Sequence, residues 1–319
     1  MKKKIFNLQT FAKYSHYIIL FLICAVMTVV SDNFLSFSNI ISVLRQSSFL
    51  VVMSLGMMFA MILGRGNDMS IGAVVAITSC LGAQFLRMSC SPATIVLGIV
   101  ISLGSGVLLG ALNGSLIACL SLPALLVTYG MSNVLRGVVF KYMNGSVVTN
   151  LCKAVTFMGA GRVGSIPTPI LIAAAFTLLS VFILKRTRLG RELYIVGANQ
   201  EAARFSGIKT RRVIITGFAL TGFMAGVAGL MYIGRLGTAE AQIGPEFHLN
   251  AIAAAAIGGV SFNGGVANPG GVVAGAIILS LLTNCMNLLN ISSNWQGVMN
   301  GVIILFAVLL DYFANRKTR

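Results

Sequence analysis

Charge is what this sequence lacks most. Asp, Glu, Lys and Arg make up 9% of its 319 residues, and only seven are acidic. A soluble domain carries about a quarter charged residues. Histidine is scarcer still: His16 and His248 stand alone, far from any Cys or carboxylate cluster with metal-ligand spacing. There is no G-x-x-x-x-G-K-[ST] phosphate cradle and no G-x-S-x-G nucleophile elbow. These absences exclude P-loop nucleotide binding and the familiar hydrolytic and metal chemistries. We therefore assign no catalytic residue, no metal and no cofactor to the chain, and do not read it as an enzyme. The acids are Asp32, Asp68, Glu192, Glu201, Glu240, Glu246 and Asp311. Only Asp68 falls at membrane depth, so there is no relay of buried acids such as proton-driven pumps use. An ion-coupled secondary transporter remains an alternative because sodium can be held by backbone carbonyls.

What the chain has in abundance is apolar sequence, 57% of the total. Several runs approach the roughly 20 residues that cross a bilayer as a helix. Stretches such as "VIITGFALTGFMAGVAGLMYI" do not alternate, which argues against a porin-type barrel. The expected fold is an all-α polytopic membrane protein, one transmembrane domain over 1–319. About 10 transmembrane helices are predicted, near 16–31, 47–64, 70–86, 94–120, 123–142, 169–185, 213–236, 248–260, 268–289 and 296–312. The opening "MKKKIFNLQTFAKYSHYIILFLICAVMTVV" resembles a signal peptide, but no small-residue cleavage site follows. An uncleaved first helix is predicted.

The net charge of +16 reports topology rather than nucleic acid, because basic residues of membrane proteins collect in cytoplasmic loops. With the N-terminus inside, only Arg45, Arg87, Arg136, Lys141, Lys153, Arg162 and Arg235 of the 23 basic residues face outward. Both termini are then cytoplasmic. The spans divide five and five about the outer loop 143–168, compatible with an inverted 5+5 repeat. The six cysteines read as small packing residues. Cys90 and Cys152 fall in expected outer loops, where a bridge between them stays open. Gly106/Gly110/Gly114, Gly222/Gly226, Gly271/Gly275 and Gly297/Gly301 recur at four-residue spacing. Such spacing allows close helix contact, more readily within one subunit than between two.

The longest polar segment, "RTRLGRELYIVGANQEAARFSGIKTRR" at 186–212, lies mid-chain and inside. Its basic residues suit an anionic cytoplasmic leaflet. Its centre predicts a two-turn helix: Asn199 as N-cap, Glu201 in the first turn, Gly207 at the left-handed stop and Ile208 beyond it. A helix that short needs a seat on other structure. "EAARFSG" matches E-A-A-x-x-x-G, and in it the segment resembles the cytoplasmic loop of ABC importer permeases. The following I-x-L-P of that family is missing, as in its ribose-type, monosaccharide branch. "HLNAIAAAAIGGVSFNGG", "TRLGRELYIVGANQEAARFSGI" and "NGS" at 144–146 also resemble that branch. So does "DMSIGA" at 68–73, which resembles G-G-I-D-L-S-V-G. The likeness covers most of 40–312.

The resemblance implies that Glu201, Ala202, Ala203, Arg204 and Gly207 form a coupling helix seated on a separate ATPase subunit, which binds the ATP. It also implies a periplasmic substrate-binding protein, a second permease copy or homologous permease, and a place in the bacterial inner membrane. The implied cargo is a monosaccharide such as ribose. The same machinery with a nucleoside, an autoinducer-like furanone or an amino acid is the alternative. Segment 237–247, with Glu240 and Glu246, is a candidate outer contact. Asn67, Asp68 and Ser70 read first as caps of the following helix, and more sharply as lining the passage. Arg65 and Asn67 depart from the family pattern there. Asn113, Thr128, Asn133, Arg136, Asn250, Asn284 and Asn300 are further polar residues inside spans. Asn133 and Arg136, three residues apart on one helix, are expected at the mouth of the passage, although Arg136 equally suits snorkelling to the interface.

Overall fold

The computed structural model describes residues 20–22, 24–31, 33–88, 90–292, 295, 297–299, 301, 302 and 305. His16, Asp32, Asn300, Asp311, both chain ends and most of the last expected span lie outside them. Eleven helices and one small hairpin are named among the described residues. They are α1 (Phe37–Met61), α2 (Ile71–Met88), α3 (Pro92–Cys119), α4 (Ala124–Met143), α5 (Lys153–Ala160), β1 (Arg162–Val163), β2 (Ile166–Pro167), α6 (Thr168–Arg186), α7 (Arg188–Ala198), α8 (Gln200–Phe205), α9 (Thr210–Leu236), α10 (Phe247–Ile257) and α11 (Pro269–Leu288). By length and composition α1, α3, α6, α9 and α11 can cross a membrane, and α2 and α10 are shorter apolar helices. The described part of the chain is therefore all-α apart from a two-stranded antiparallel hairpin.

Most helices fall where hydropathy places them, but α1 starts ten residues before the expected 47. Its first turns contain Ser38, Asn39, Ser42 and Arg45, which dilute the apolar signal. Ser36 nevertheless caps the helix by accepting the Asn39 N–H at 3.3 Å. Loop 143–168 is also more structured than expected, since it holds α5 and the hairpin.

Helix α9 is the hub. It packs on α3, α1, α2 and α5, and its buried face runs from Thr210 to Gly234. Lipid offers no hydrophobic drive between helices, so close packing must do the work. The glycine rows meet in that role: a Cβ on Gly106 would lie 2.3 Å from the Gly222 carbonyl oxygen, and one on Gly110 2.2 Å from that of Phe218. Helices α10 and α11 cross similarly, with Gly275 against Ala254 and Gly271 against Gly258. Gly297 and Gly301 have no described neighbour within 4 Å of an added Cβ. The rings of Phe49, Tyr232 and Phe247 cluster with centroids 4.9–5.2 Å apart, Phe247 edge to face with the other two and Phe49 tilted on Tyr232, and tie α1, α9 and α10 together.

Two short helices begin inside the bundle. The connector 62–70 leads into α2, and segment 237–246 leads into α10. They meet reciprocally: a Cβ on Gly72 would lie 2.4 Å from the Gly244 oxygen, and one on Gly244 2.7 Å from the Gly72 oxygen. Segment 237–246 thus folds back against the start of α2 rather than standing clear of the bundle. Earlier in its course Ala239 forms a backbone bridge with Val148.

Candidate functional site: the 186–212 loop and the α1–α2 connector

The mid-chain polar segment folds into two helices rather than one. Thr187 caps α7 by accepting the Gly190 N–H at 3.1 Å. Leu193, Val196 and Gly197 turn inward, while Arg188 and Glu192 pair at 2.7 Å on the outer face. The chain then bends at Asn199, whose Oδ1 accepts the Ala202 N–H at 3.0 Å and starts α8. Gly207 (φ +80°) ends it, and the Ile208 N–H returns to the Ala203 carbonyl at 3.1 Å. That 6→1 bond, with a left-handed Gly before it, is a Schellman stop. Ala203 is buried and anchors the turn, whereas Glu201, Ala202, Arg204, Phe205, Ser206 and Gly207 face outward.

Phe205 is 82% exposed, with the Arg204 guanidinium 5.8 Å from its ring centroid. Sequence reading passed over it; the signal was an aromatic residue inside an otherwise polar stretch. An open cleft of about 340 Å³ beside α8 has Arg188, Lys209, Arg212, Glu192 and Gly207 in its lining. The loop thus presents a rigid, capped knob with one apolar projection beside a basic cleft.

The connector forms a second polar centre. Asp68 is 1% exposed. Its Oδ1 accepts the Ser70 N–H at 2.8 Å and the Ser70 hydroxyl at 2.6 Å. Asn113 of α3 donates its Nδ2–H to Ser70 Oγ at 2.8 Å. The Thr128 hydroxyl of α4 accepts the Met69 N–H at 3.0 Å and lies 3.2 Å from the Asn67 carbonyl. Asp68, Ser70, Asn113 and Thr128 are all buried, so these bonds pin the start of α2 to α3 and α4. Of the residues expected on the passage, Asp68 and Ser70 are enclosed here and Asn67 is half-buried.

Asn133 is exposed on α4, its amide donating to the Tyr129 carbonyl at 3.1 Å. Half-buried Arg136 turns inward and donates to the Gly244 carbonyl at 3.2 Å. It clamps segment 237–246 to α4. Among the described residues no hydrogen bond joins Asn133 to the connector. α4 nevertheless links the two groups, since Thr128 holds the connector and Arg136 holds the segment packed on Gly72. The exposed face of α4 also carries Tyr129, Gly130, Val134, Gly137 and Val138.

At the opposite end of the bundle, Cys90 and Cys152 form a disulfide with Cα atoms 5.5 Å apart. The bridge left open between Cys90 and Cys152 is thus formed, and the packing reading is corrected for these two; Cys24, Cys80, Cys119 and Cys285 are free. The bridge joins the α2–α3 turn to the start of α5, where the Cys152 N–H also donates to the Leu86 carbonyl at 3.0 Å. Disulfides persist in oxidising compartments such as the periplasm, the side to which charge counting assigns both loops.

Comparison with known proteins agrees with this architecture. The family described as "Branched-chain amino acid transport system / permease component" matches residues 39–308. The chain is 33% identical to the ribose import permease protein of Haemophilus influenzae, covering 94% of this chain and 93% of that one. It is 34% identical to the D-allose transport system permease protein of Escherichia coli, with 99% and 96% covered. It is 31% identical to the galactose/methyl galactoside import permease protein of Salmonella typhimurium, with 94% and 95% covered. No solved structure matches the chain. A family match across most of the helical bundle, joined to relatives that align over nearly their whole length, shows that the chain belongs to this family of ABC importer permeases.

Proposed function

We propose that the chain is the membrane-spanning permease subunit of a bacterial ABC importer that moves a monosaccharide, ribose or a related sugar, across the inner membrane. The observation that carries the cargo is the near full-length similarity to permeases named for ribose, allose and galactose. The neutral amides along the bundle suit such a solute, which offers hydroxyls and no charge. An amino acid is the second reading, because the matching family is described by branched-chain amino acid transport.

In this reading the chain makes and breaks no bonds. A separate ATPase subunit binds ATP and seats α8, with Glu201, Ala202, Arg204 and Gly207 at the contact and Ala203 holding the turn beneath it. Phe205 is the apolar anchor, since aromatic side chains that enter a partner's pocket dominate interface energies. A periplasmic binding protein delivers cargo to the disulfide-bridged side. A second copy, or a homologous permease, completes the passage, with the exposed α4 face bearing Asn133 toward it. Asn67 borders that passage, while Asp68, Ser70 and Arg136 hold its wall in place. Ten spans with both termini cytoplasmic fit the charge bias. An inverted 5+5 repeat fits the reciprocal Gly72–Gly244 contact between the start of the third span and the segment that leads into the eighth.

The test is uptake of labelled ribose, allose, galactose and leucine by cells expressing the transporter, with and without its ATPase. Sugar uptake that needs the ATPase supports the proposal. Gly207→Glu should abolish it while leaving the permease in the membrane. Leucine uptake alone would replace the cargo. Uptake that survives loss of the ATPase but stops when ion gradients collapse would select a secondary transporter.

A further inference from the structure

Three turns of backbone meet beside α8 with almost no side chain between them: Ile62–Gly64 at the end of α1, Gly197–Ala198 at the end of α7, and loop 261–266 between α10 and α11. A Cβ on Gly197 would lie 1.8 Å from the Ile62 carbonyl oxygen. One on Gly264 would lie 2.4 Å from the Gly64 Cα, and one on Gly265 2.9 Å from the Ala198 Cα. The Gly265 N–H donates to the Ile62 carbonyl at 2.9 Å. One turn before Gly197, the Tyr194 hydroxyl donates to the Ala267 carbonyl at 2.8 Å. Gly64, Gly264 and Gly265 have φ of +63°, +83° and +72°, so other residues would be strained there as well as crowded.

Each strand of this junction leads somewhere different. Gly197 lies two residues before Asn199, the cap of α8. Gly64 opens the connector that holds Asn67, Asp68 and Ser70. Loop 261–266 turns α10 into α11. A displacement at a side-chain contact can be absorbed by a change of rotamer. Backbone packed on backbone has no such slack, and close-packed interiors transmit strain. Chains of packed groups and hydrogen bonds with two discrete arrangements are what carry coupling between distant sites.

We propose that this glycine junction is the transmission of the importer: it passes displacement of α8 to the α1–α2 connector and to the α10–α11 turn. The proposal rests on the reading of α8 as the seat of the ATPase. Tyr194, Gly197, Gly264 and Gly265 are then positioning residues. They touch neither nucleotide nor cargo, and they set how far the connector moves when the ATPase closes.

The test uses the whole transporter, permease with ATPase, in lipid nanodiscs. Cys24, Cys80, Cys119 and Cys285 are replaced by alanine, and Arg65→Cys places a reporter in the connector. The rate of maleimide labelling at position 65 is measured before and after trapping with ATP and vanadate. Retention of the ATPase on affinity purification is measured in parallel. The parent should retain the ATPase, and its labelling rate should change on trapping. Tyr194→Phe removes one hydrogen bond and no volume. It should retain the ATPase, yet its trapping response should fall by about 2-fold or more, and that of Gly197→Ala by up to about 30-fold. A purely structural role would lower yield and leave the response of the folded fraction intact. A full response in both variants, or a parent that retains the ATPase and shows no change at position 65, overturns the junction. A parent that fails to hold the ATPase overturns the α8 reading instead. Should Gly197→Ala not fold, Tyr194→Phe and Gly265→Ala decide the matter.

Discussion

Phe205→Ala is the most informative single change at the ATPase contact. The ring is 82% exposed, and the neighbouring Arg204 guanidinium lies 5.8 Å from its centroid. The fold therefore gains little from it, and the variant should insert and melt like the parent. Burying a Phe side chain fully is worth about 1.5–3 kcal/mol. Ordering an interface side chain takes back about 0.5–1.5 kcal/mol of that. The net loss on truncation is about 1–2 kcal/mol, which weakens binding of the ATPase by about 5- to 30-fold. The assay is the Kd of the purified ATPase for the permease in nanodiscs, measured by biolayer interferometry, with the thermal melt of the permease as control. An unchanged Kd would refute the reasoning, because the one large apolar side chain on α8 would then lie outside the interface. A lowered melting temperature would show that Phe205 belongs to the fold instead.

Two further outcomes follow from packing and cross-linking. Gly222→Ala places a methyl group 2.0 Å from the Gly106 oxygen, so α3 and α9 must part. Overpacking of this kind costs about 1–3 kcal/mol, to be seen as a lower melting temperature in detergent, and an unchanged melt would deny the tight crossing. Cys90→Ser opens a bridge that spans 62 residues. Chain entropy sets its contribution at about 4 kcal/mol at most, and less where α3 and α4 stay inserted. The variant should melt below the parent, reductant should lower the parent to the same point, and equal melts without reductant would contradict the bridge.

How much of this was legible depended on how local the physics was. The ends of α8 could be read from Asn199 and Gly207 because capping and left-handed stops are decided within a few residues. Glycine spacing marked α3 and α9 as close-packing helices, but nothing in the spacing said that they pack on each other. The first turns of α1 were missed because polar Ser, Asn and Arg residues there hide a helix that is capped by Ser36 and buried only farther along. Asp68 could be read as a cap or as a passage residue. Its enclosure depends on Ser70 and on Asn113, which is 43 residues from Ser70, and no window of sequence contains that relation. The disulfide and the Gly197–Ile62 contact are likewise products of tertiary folding. Phe205 was visible all along, and its importance emerged only once its exposure was known.

The central claim is that the segment around α8 faces the cytoplasm and receives the ATPase. Side-specific labelling tests it most directly. With the four free cysteines replaced and Ser206→Cys added, right-side-out and inside-out vesicles are treated with a membrane-impermeant maleimide. Labelling should occur in inside-out vesicles alone and should be blocked when the ATPase is bound. Labelling in right-side-out vesicles, or no protection by bound ATPase, would contradict the account.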